Sequence, residues 1–283
     1  MISPMHTSVA HLLARSVRYL SSPGGQGDEL LKGTRTLILI HGFPLSADMW
    51  LPQLARVPVG WQFVAPDVRG FRGMGPAFED AQLQGASIDD YADDIIQLMD
   101  HLDLPKAAIC GLSMGGYIAM ALAARAPKRV THLILADTKM SADGDEAKAG
   151  RDKMRDMVER EGPASVATAM LPKLMGETAK RDQPDLGDAL RRLIEVNRTE
   201  SIVGALGALK GRPDRSADLA QIRVPTLVIC GAEDALTPPA DSDAMAATIP
   251  GATLVMIPTA GHMSNLEQPF AFNAALQQFL AAK

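Results

Sequence analysis

The chain has 283 residues, of which 47% are hydrophobic and 22% are charged, and its formal net charge is −5. This length and composition are typical of a globular protein with a sizeable core, built as one large α/β domain or two smaller ones. The acidic balance and an aromatic content of only 4% argue against nucleic acid or an anionic membrane as the partner. We therefore expect a small-molecule ligand.

Two cysteines, Cys110 and Cys230, each end an apolar run and directly precede a glycine. This position is typical of a buried strand, so a disulfide is not expected. The N-terminal stretch 1–19 is basic and partly apolar, but Arg15 and Arg18 interrupt it, and no run in the chain is long enough to cross a membrane. We expect a cytoplasmic protein, and both a monomer and a homodimer remain open.

Strands and helices alternate through the first half of the chain. Apolar runs predict one or two antiparallel edge strands within 9–20 and further strands at 36–40, 62–65, 107–110 and 130–136. Helices are predicted at 47–54, from 88 to about 102, and at 117–126. Ser87 and Asp90 form a capping-box pattern before the second of these helices. Its aspartates are expected to form a solvated face rather than a metal site, since carboxylates favour the first turns of a helix: Asp89, Asp90, Asp93 and Asp94.

The pattern changes between 139 and 213, where charged, Ala-rich helical segments replace the strands. Four helices are predicted there, at 147–161, 164–175, 187–197 and 200–210. After them the alternation resumes, with strands at 226–230 and 253–257 and helices at 239–249 and 268–281. This order predicts an α/β fold with a mostly parallel central sheet flanked by helices. A helical cap, 138–213, would be inserted between two strands of a core domain formed by 1–137 and 214–283.

The stretch Gly111-Leu112-Ser113-Met114-Gly115 joins a predicted strand to a predicted helix. A strand that turns into a helix within so few residues forces the middle residue into a strained, positive-φ conformation and requires small neighbours. The turn would expose the Ser113 hydroxyl and aim the N–H of Met114 at the space above it. We therefore predict a nucleophile beside an anion site.

A serine nucleophile needs a base, and the chain has six histidines. His262 follows the last predicted strand through a flexible loop and is the favoured base, whereas His41 precedes a glycine at a strand end and is expected to shape a turn. Asp234, after the penultimate strand, is the favoured acid. Asp137, which could instead cap the entry to the insertion, and Glu233, which could be a solvated loop charge, remain alternatives.

Together these residues resemble the α/β-hydrolase fold family. The similarity extends from about Val17 to Leu280 and includes the order Ser113, Asp234, His262, the dipeptide His41-Gly42, the turn Asp67-x-Arg69-Gly70 and the loop Ala260-Gly261-His262. In this family the oxyanion hole is formed by the N–H of the residue after the nucleophile and that of a residue after the His-Gly turn. The resemblance thus implies that Met114 and Phe43 take these roles.

Within the family, the chain looks most like capped carboxylesterases and 3-oxoadipate enol-lactonases. It departs from the family at Gly70-Phe71-Arg72-Gly73-Met74-Gly75-Pro76, where the usual turn continues Gly-x-Gly-x-Ser. That loop borders the hinge of the cap, so we expect the mouth of the pocket to differ from that of its relatives.

The resemblance implies a serine hydrolase that cleaves carboxylic esters of small to medium acyl chain without a metal or cofactor. Serine at the elbow argues against epoxide hydrolases and haloalkane dehalogenases, which need a carboxylate nucleophile. An enol-lactonase is the alternative, with a carbon-carbon bond hydrolase, a perhydrolase and a non-catalytic ligand receptor ranked lower.

Two sets of residues in the insertion bear on the substrate. A lactone that carries a carboxylate would need a cation facing the pocket, and five are available: Arg151, Lys153, Arg155, Arg198 and Lys210. The methionines of the insertion could line an adaptable pocket, but their helical spacing favours a role in the core: Met140, Met154, Met157, Met170 and Met175.

Overall fold

The computed structural model of the chain describes residues 5–12, 15–22, 30–31, 33–72, 83 and 85–281. Its centre is an eight-stranded sheet in the order β1-β2-β4-β3-β5-β6-β7-β8. The strands are β1 His6–Leu12, β2 Arg15–Ser21, β3 Arg35–Ile40, β4 Trp61–Pro66, β5 Ala107–Leu112, β6 Val130–Ala136, β7 Thr226–Gly231 and β8 Thr253–Ile257. β2 is antiparallel to β1 and β4, and all other neighbours are parallel. The predicted fold class is confirmed.

Helices flank this sheet and form the segment between β6 and β7. They are α1 Leu51–Leu54, α2 Ile88–His101, α3 Met114–Arg125, α4 Asp145–Glu161, α5 Pro163–Leu174, α6 Glu177–Asp182, α7 Pro184–Glu195, α8 Thr199–Gly211, α9 Ser216–Leu219, α10 Pro239–Thr248, α11 Ser264–Glu267 and α12 Pro269–Ala281, with 3-10 turns at Ala47–Trp50 and Pro127–Arg129. Among the described residues, no helix is long and apolar enough to cross a membrane.

Most predicted elements are present, with ends shifted by a few residues. Helix α3 begins at Met114, directly after Ser113, and not at Tyr117 as predicted. Helices α6, α9 and α11 were not predicted, since they are too short to show helical periodicity. The stretch Gly73 to Pro76, part of the turn at which the chain departs from the family, lies outside the described residues.

Helix α2 begins as predicted, but one of the four aspartates of its predicted solvated face is buried. The Ser87 hydroxyl accepts from the Asp90 N–H at 3.1 Å, and the Asp90 carboxylate accepts from the Ser87 N–H at 2.8 Å, which is the capping box. Asp94 is buried and accepts two hydrogen bonds from Arg69, at 2.7 and 2.8 Å. The prediction of four solvated carboxylates was wrong for Asp94, because the turn after β4 supplies a guanidinium that the local pattern could not reveal.

Two glycines let helix α3 approach the sheet closely. A Cβ on Gly111 would overlap the carbonyl oxygen of Gly115, and a Cβ on Gly115 would overlap the carbonyl oxygen of Ile40 in β3. All residues of α3 from Met114 to Ala123 are buried. This approach fixes the start of the helix against the ends of β3 and β5.

The insertion leaves the sheet after β6 and returns before β7, which are neighbours in the sheet. Its two ends are joined by a buried ion pair between Arg212 and Asp143, with a distance of 2.8 Å and side chains 2% exposed. The Arg212 guanidinium also lies 4.1 Å from the centre of the Tyr117 ring on α3. Because both ends attach beside α3, the insertion begins and ends near the serine turn.

We predict that Gly115→Ala destabilises the fold by about 1–3 kcal/mol, because its Cβ would meet backbone that cannot move aside. Gly207→Ala is the matched control. Gly207 lies within helix α8, and a Cβ there would meet nothing within 4 Å beyond its own helix backbone, so alanine should stabilise by roughly 0.5–1 kcal/mol. Urea denaturation of both variants measures the difference. Equal effects of the two substitutions would contradict the close approach.

Candidate active site

Ser113 occupies the turn between β5 and α3 in the conformation predicted for a nucleophile elbow. Its φ is 55° and its ψ is −114°, so the residue is in the left-handed half of the Ramachandran map. The Ser113 N–H donates to the carbonyl of Ala136 in β6 at 2.9 Å, and the Thr138 hydroxyl donates to the Ser113 carbonyl at 2.8 Å. These bonds hold the serine backbone at the carboxyl edge of the sheet.

The loop after β3 lies against this serine. A Cβ on Gly42 would lie 3.3 Å from the Cβ of Ser113, so a side chain at residue 42 would crowd the serine. Among the described residues, neither the N–H of Phe43 nor that of Met114 has a backbone or side-chain acceptor. This is compatible with the oxyanion-hole roles that the family resemblance implies for these two N–H groups.

Asp234 and His262 are joined directly. The Asp234 carboxylate lies 2.8 Å from Nδ1 of His262, and both side chains are buried. The same carboxylate accepts from the Thr237 hydroxyl at 2.7 Å, and from the N–H groups of Leu236 and Thr237 at 2.8 and 3.0 Å. Four donors therefore fix Asp234 in one orientation, and an ionised Asp234 requires the proton of neutral His262 to be on Nδ1.

Several buried groups set the pKa of His262 in opposite directions. Burial lowers it, but the carboxylates of Asp234, Asp137 and Glu267 raise it, and the net result is a pKa above the ordinary value of 6.5. Burial also opposes ionisation of Asp234, yet His262 and the bonds from Thr237 bring the pKa of Asp234 below its ordinary value. The pair therefore favours a charged carboxylate beside a basic imidazole.

Asp137 lies close to this pair but does not bond to the imidazole. One oxygen accepts from the Gly231 N–H at 2.8 Å, and the other accepts from the Ser264 hydroxyl. Asp137 therefore takes neither of the roles considered for it, the acid or a cap at the entry to the insertion, because its carboxylate links the end of β7 to the start of α11. Burial, and then the nearby charge of Asp234, raise the pKa of Asp137 well above its usual range.

Among the described residues, one cluster brings potential metal-ligand atoms within 4.8 Å of one another: Asp137, Cys230 and Asp234. Asp234 already accepts four hydrogen bonds, and burial raises the pKa of the Cys230 thiol to about 12. A neutral thiol and a carboxylate committed to an imidazole fit a metal poorly. Cys110 and Cys230 are both buried free thiols, as predicted.

The hydrogen bonds and burial of His41 indicate a structural role. Its Nε2 accepts from the Val68 N–H at 2.8 Å, so its proton is on Nδ1, which lies 3.0 Å from the Gly42 carbonyl. Burial lowers the pKa of His41 to about 4, so the ring is neutral at pH 7. Asp67 similarly accepts from the Ala47 N–H at 2.7 Å and pairs with Arg18 at 2.6 Å. The His-Gly and Asp-x-Arg-Gly motifs thus hold the loop that carries Phe43.

The insertion contacts the loops that carry the candidate site. The Asn197 amide donates to the carbonyl of Pro44 at 2.8 Å, and its oxygen accepts from the Arg72 N–H at 2.8 Å. Glu233, for which a solvated loop charge was one alternative, instead accepts from the Thr178 N–H at 2.8 Å and from the Thr178 hydroxyl at 2.5 Å. The insertion therefore touches both the Phe43 loop and the chain next to Asp234.

Four residues that support this geometry were not predicted from the sequence: Thr237, Ser264, Asn197 and Glu267. Thr237 had a local signal, because an aspartate often binds the backbone two or three residues later in an Asx turn. Asn197 bonds to a partner that is distant along the chain, and Ser264 and Glu267 belong to α11, a short helix that was not predicted. No short-range pattern identified them.

Comparison with known proteins gives a consistent picture. A family model described as alpha/beta hydrolase fold matches residues 35–269. The chain is 30% identical over 270 residues to 3-oxoadipate enol-lactonase 2 of Acinetobacter baylyi, with 94% of each chain covered. A thermophilic esterase from Thermogutta terrifontis superposes with a TM-score of 0.87 at 33% identity, over 97% of this chain and 98% of that one.

The enol-lactonase from Burkholderia xenovorans LB400 superposes with a TM-score of 0.86 at 27% identity, over 97% of this chain and 100% of that one. The esterase and the enol-lactonase thus fit the whole chain about equally well. Because the family model also spans most of its length, the chain belongs to the α/β hydrolase fold family and is a hydrolase.

Proposed function

We propose that the chain is a serine hydrolase that cleaves carboxylic esters of small to medium acyl chain through an acyl-enzyme on Ser113. The observation that carries the proposal is the buried Asp234–His262 pair, 2.8 Å apart, at the sheet edge where Ser113 adopts its strained turn. An oriented imidazole and a strained serine at one sheet edge are the parts that acyl transfer requires.

In the proposed reaction, the Ser113 oxygen attacks the ester carbonyl carbon while Nε2 of His262 takes the hydroxyl proton. The carbonyl oxygen becomes an oxyanion and accepts hydrogen bonds from the N–H groups of Phe43 and Met114. Collapse of this intermediate expels the alkoxide, which takes the proton from His262 and leaves as the alcohol. Water then repeats the sequence on the acyl-enzyme, releasing the carboxylic acid and restoring the serine.

Charge pairing in the insertion favours a neutral ester over an anionic lactone. Four of the five candidate cations already form ion pairs: Arg151 with Asp143, Arg155 with Asp152 and Asp156, Arg198 with Glu200, and Lys210 with Asp152. Lys153 is exposed to solvent. A substrate carboxylate would have to compete with these existing partners, so enol-lactone hydrolysis remains the second candidate, supported by the relatives.

The proposal includes a cap, 138–213, on a core domain made of 1–137 and 214–283. Its support is the set of contacts from the insertion to both sides of the candidate site, through Asn197 to the Phe43 loop and through Thr178 to Glu233. A cover attached at both sides would enclose an acyl pocket above Ser113. Because small enclosed pockets hold small ligands, chains of roughly two to eight carbons should be preferred.

The lower-ranked functions use the same site differently. A carbon-carbon bond hydrolase or a perhydrolase would need the same serine, whereas a ligand receptor would need no oriented histidine. The bond from Asp234 that orients the His262 imidazole therefore favours catalysis over a receptor that had lost it. Metal, nucleic acid and membrane have no role in the proposed reaction.

Ser113→Ala should abolish hydrolysis of p-nitrophenyl esters, lowering kcat by on the order of 10³ or more, because the acyl acceptor is lost. The melting temperature should stay close to that of the parent protein, since the strained backbone is held by its own bonds. Steady-state rates on p-nitrophenyl acetate and butyrate measure the effect. A variant that kept more than about a tenth of the parent kcat would remove Ser113 from the mechanism.

Asp234→Asn should lower kcat by on the order of 10⁴ relative to the parent, far more than Asp137→Asn. The asparagine at 234 would favour the wrong His262 tautomer, whereas Asp137 makes no bond to the ring. Both variants replace a buried carboxylate by an amide, and only the one at position 234 removes the bond to the imidazole. A larger loss in Asp137→Asn would move the acid to the end of β6.

Single replacement of the half-buried methionines Met154, Met157 and Met170 by Phe should shorten the preferred acyl chain in at least one variant. The rate on p-nitrophenyl acetate should remain within a few fold of the parent. Val196→Phe, at a position 44% exposed on the same insertion, is the control and should leave the chain-length profile unchanged. Unchanged profiles in all three variants would assign chain-length selection to the Phe43 and Phe71 loops instead.

A further inference from the structure

Glu267 is a buried carboxylate five positions after His262, at the end of helix α11. One of its oxygens accepts from the N–H of Gly261 at 2.8 Å and from the N–H of Gly176 at 2.9 Å. The other accepts from the N–H of Met263 at 3.0 Å. The side chain therefore accepts three backbone hydrogen bonds, and none of them belongs to a helix or strand.

Two of these bonds hold the residues on either side of His262. Gly261 and Met263 are the immediate neighbours of the histidine, and both lie in the loop between β8 and α11. A loop of this kind has no ladder of its own to fix its peptide units. The Glu267 carboxylate supplies that constraint on both sides of the imidazole.

The third bond connects the same carboxylate to the insertion. Gly176 lies between helices α5 and α6, and the Met263 N–H also lies 3.2 Å from the Leu174 carbonyl. The two chain segments approach so closely that a Cβ on Gly176 would be 2.8 Å from the Gly261 nitrogen and 2.6 Å from the Glu233 carboxylate. Insertion and histidine loop are therefore packed as one unit around Glu267.

We propose that Glu267 is a positioning residue that fixes the orientation of His262 and couples it to the position of the insertion. This inference rests on the proposed role of His262 as the base. The insertion would then be more than a cover over the pocket. Displacement of residues 174–176 would break the bond from Gly176 to Glu267, the carboxylate that also holds the loop around His262.

The charge of Glu267 also acts on the imidazole. Three N–H donors favour the ionised carboxylate, while burial raises the pKa of Glu267 above its ordinary value. Asp234, Asp137 and Glu267 are the carboxylates that raise the pKa of His262, from the loop after β7, the end of β6 and helix α11. His262 is a base only when it is neutral, so removing one of these charges should let it stay neutral at lower pH.

Glu267→Gln is the first test. The amide keeps the size of the side chain, but its NH₂ group would face an N–H donor, so at least one of the three bonds is lost. We expect kcat on p-nitrophenyl acetate to fall by on the order of 10², with little change in KM, because the base is misplaced. The acid limb of the kcat/KM profile should also move to lower pH.

Glu233→Gln is the matched control. Glu233 ties the same part of the insertion through Thr178, but its carboxylate accepts from neither Gly261 nor Met263. This variant should keep kcat within about threefold of the parent and should keep the acid limb in place. Similar kcat losses and unmoved limbs in both variants would reduce Glu267 to a tether of the insertion and overturn the proposal.

Glu267→Asp separates geometry from charge and covers the case in which the glutamine variant does not fold. The shorter side chain keeps its charge but cannot reach all three N–H groups, so kcat should fall while the acid limb stays in place. A parent-like kcat in this variant would overturn the positioning role. Ser113→Ala assayed in parallel identifies which idea has failed: activity without Ser113 overturns the proposed function and this inference together, whereas an inactive Ser113→Ala beside a parent-like Glu267→Gln overturns only the inference.

Discussion

The close approach of helix α3 to strands β3 and β5 is the constraint on which the site depends. Because Gly111 and Gly115 lack side chains, the helix can begin directly at the strand ends, and Ser113 takes a φ of 55°. Such a conformation costs of order 1–3 kcal/mol in a non-glycine residue and persists only when the surroundings fix it. Here the surroundings are a helix buried from Met114 to Ala123, and the hydrogen bonds that join Ser113 to Ala136 and Thr138.

A second constraint is the number of buried carboxyl groups around one imidazole. Asp234, Asp137 and Glu267 are all buried near His262, and each is satisfied by donors of its own. Buried carboxylates are costly unless they are paired or hydrogen-bonded, so these donors are a condition of the arrangement. The result is a histidine that is both held in place and more basic than a free one, within a loop that also contacts the insertion.

How far the sequence could predict the molecule depended on the range of the interactions. Strand β6 and the capping box at Ser87 were correct because apolar runs and caps are local signals. The partners of Asp94, Glu233 and Asp137 were not predicted, since they lie 25, 55 and 127 positions away along the chain. Such partners exist only after the chain has folded, and an acidic residue shows the same local pattern with or without one.

Labelling with a fluorophosphonate probe, followed by mapping of the modified peptide, tests the central claim most directly. The probe forms a covalent adduct only with a serine activated by an oriented base, so it reports on nucleophile and histidine together. We predict a single adduct on Ser113 in the parent protein, formed much more slowly in Asp234→Asn. An unlabelled protein, or an adduct on any other residue, would contradict the proposed mechanism.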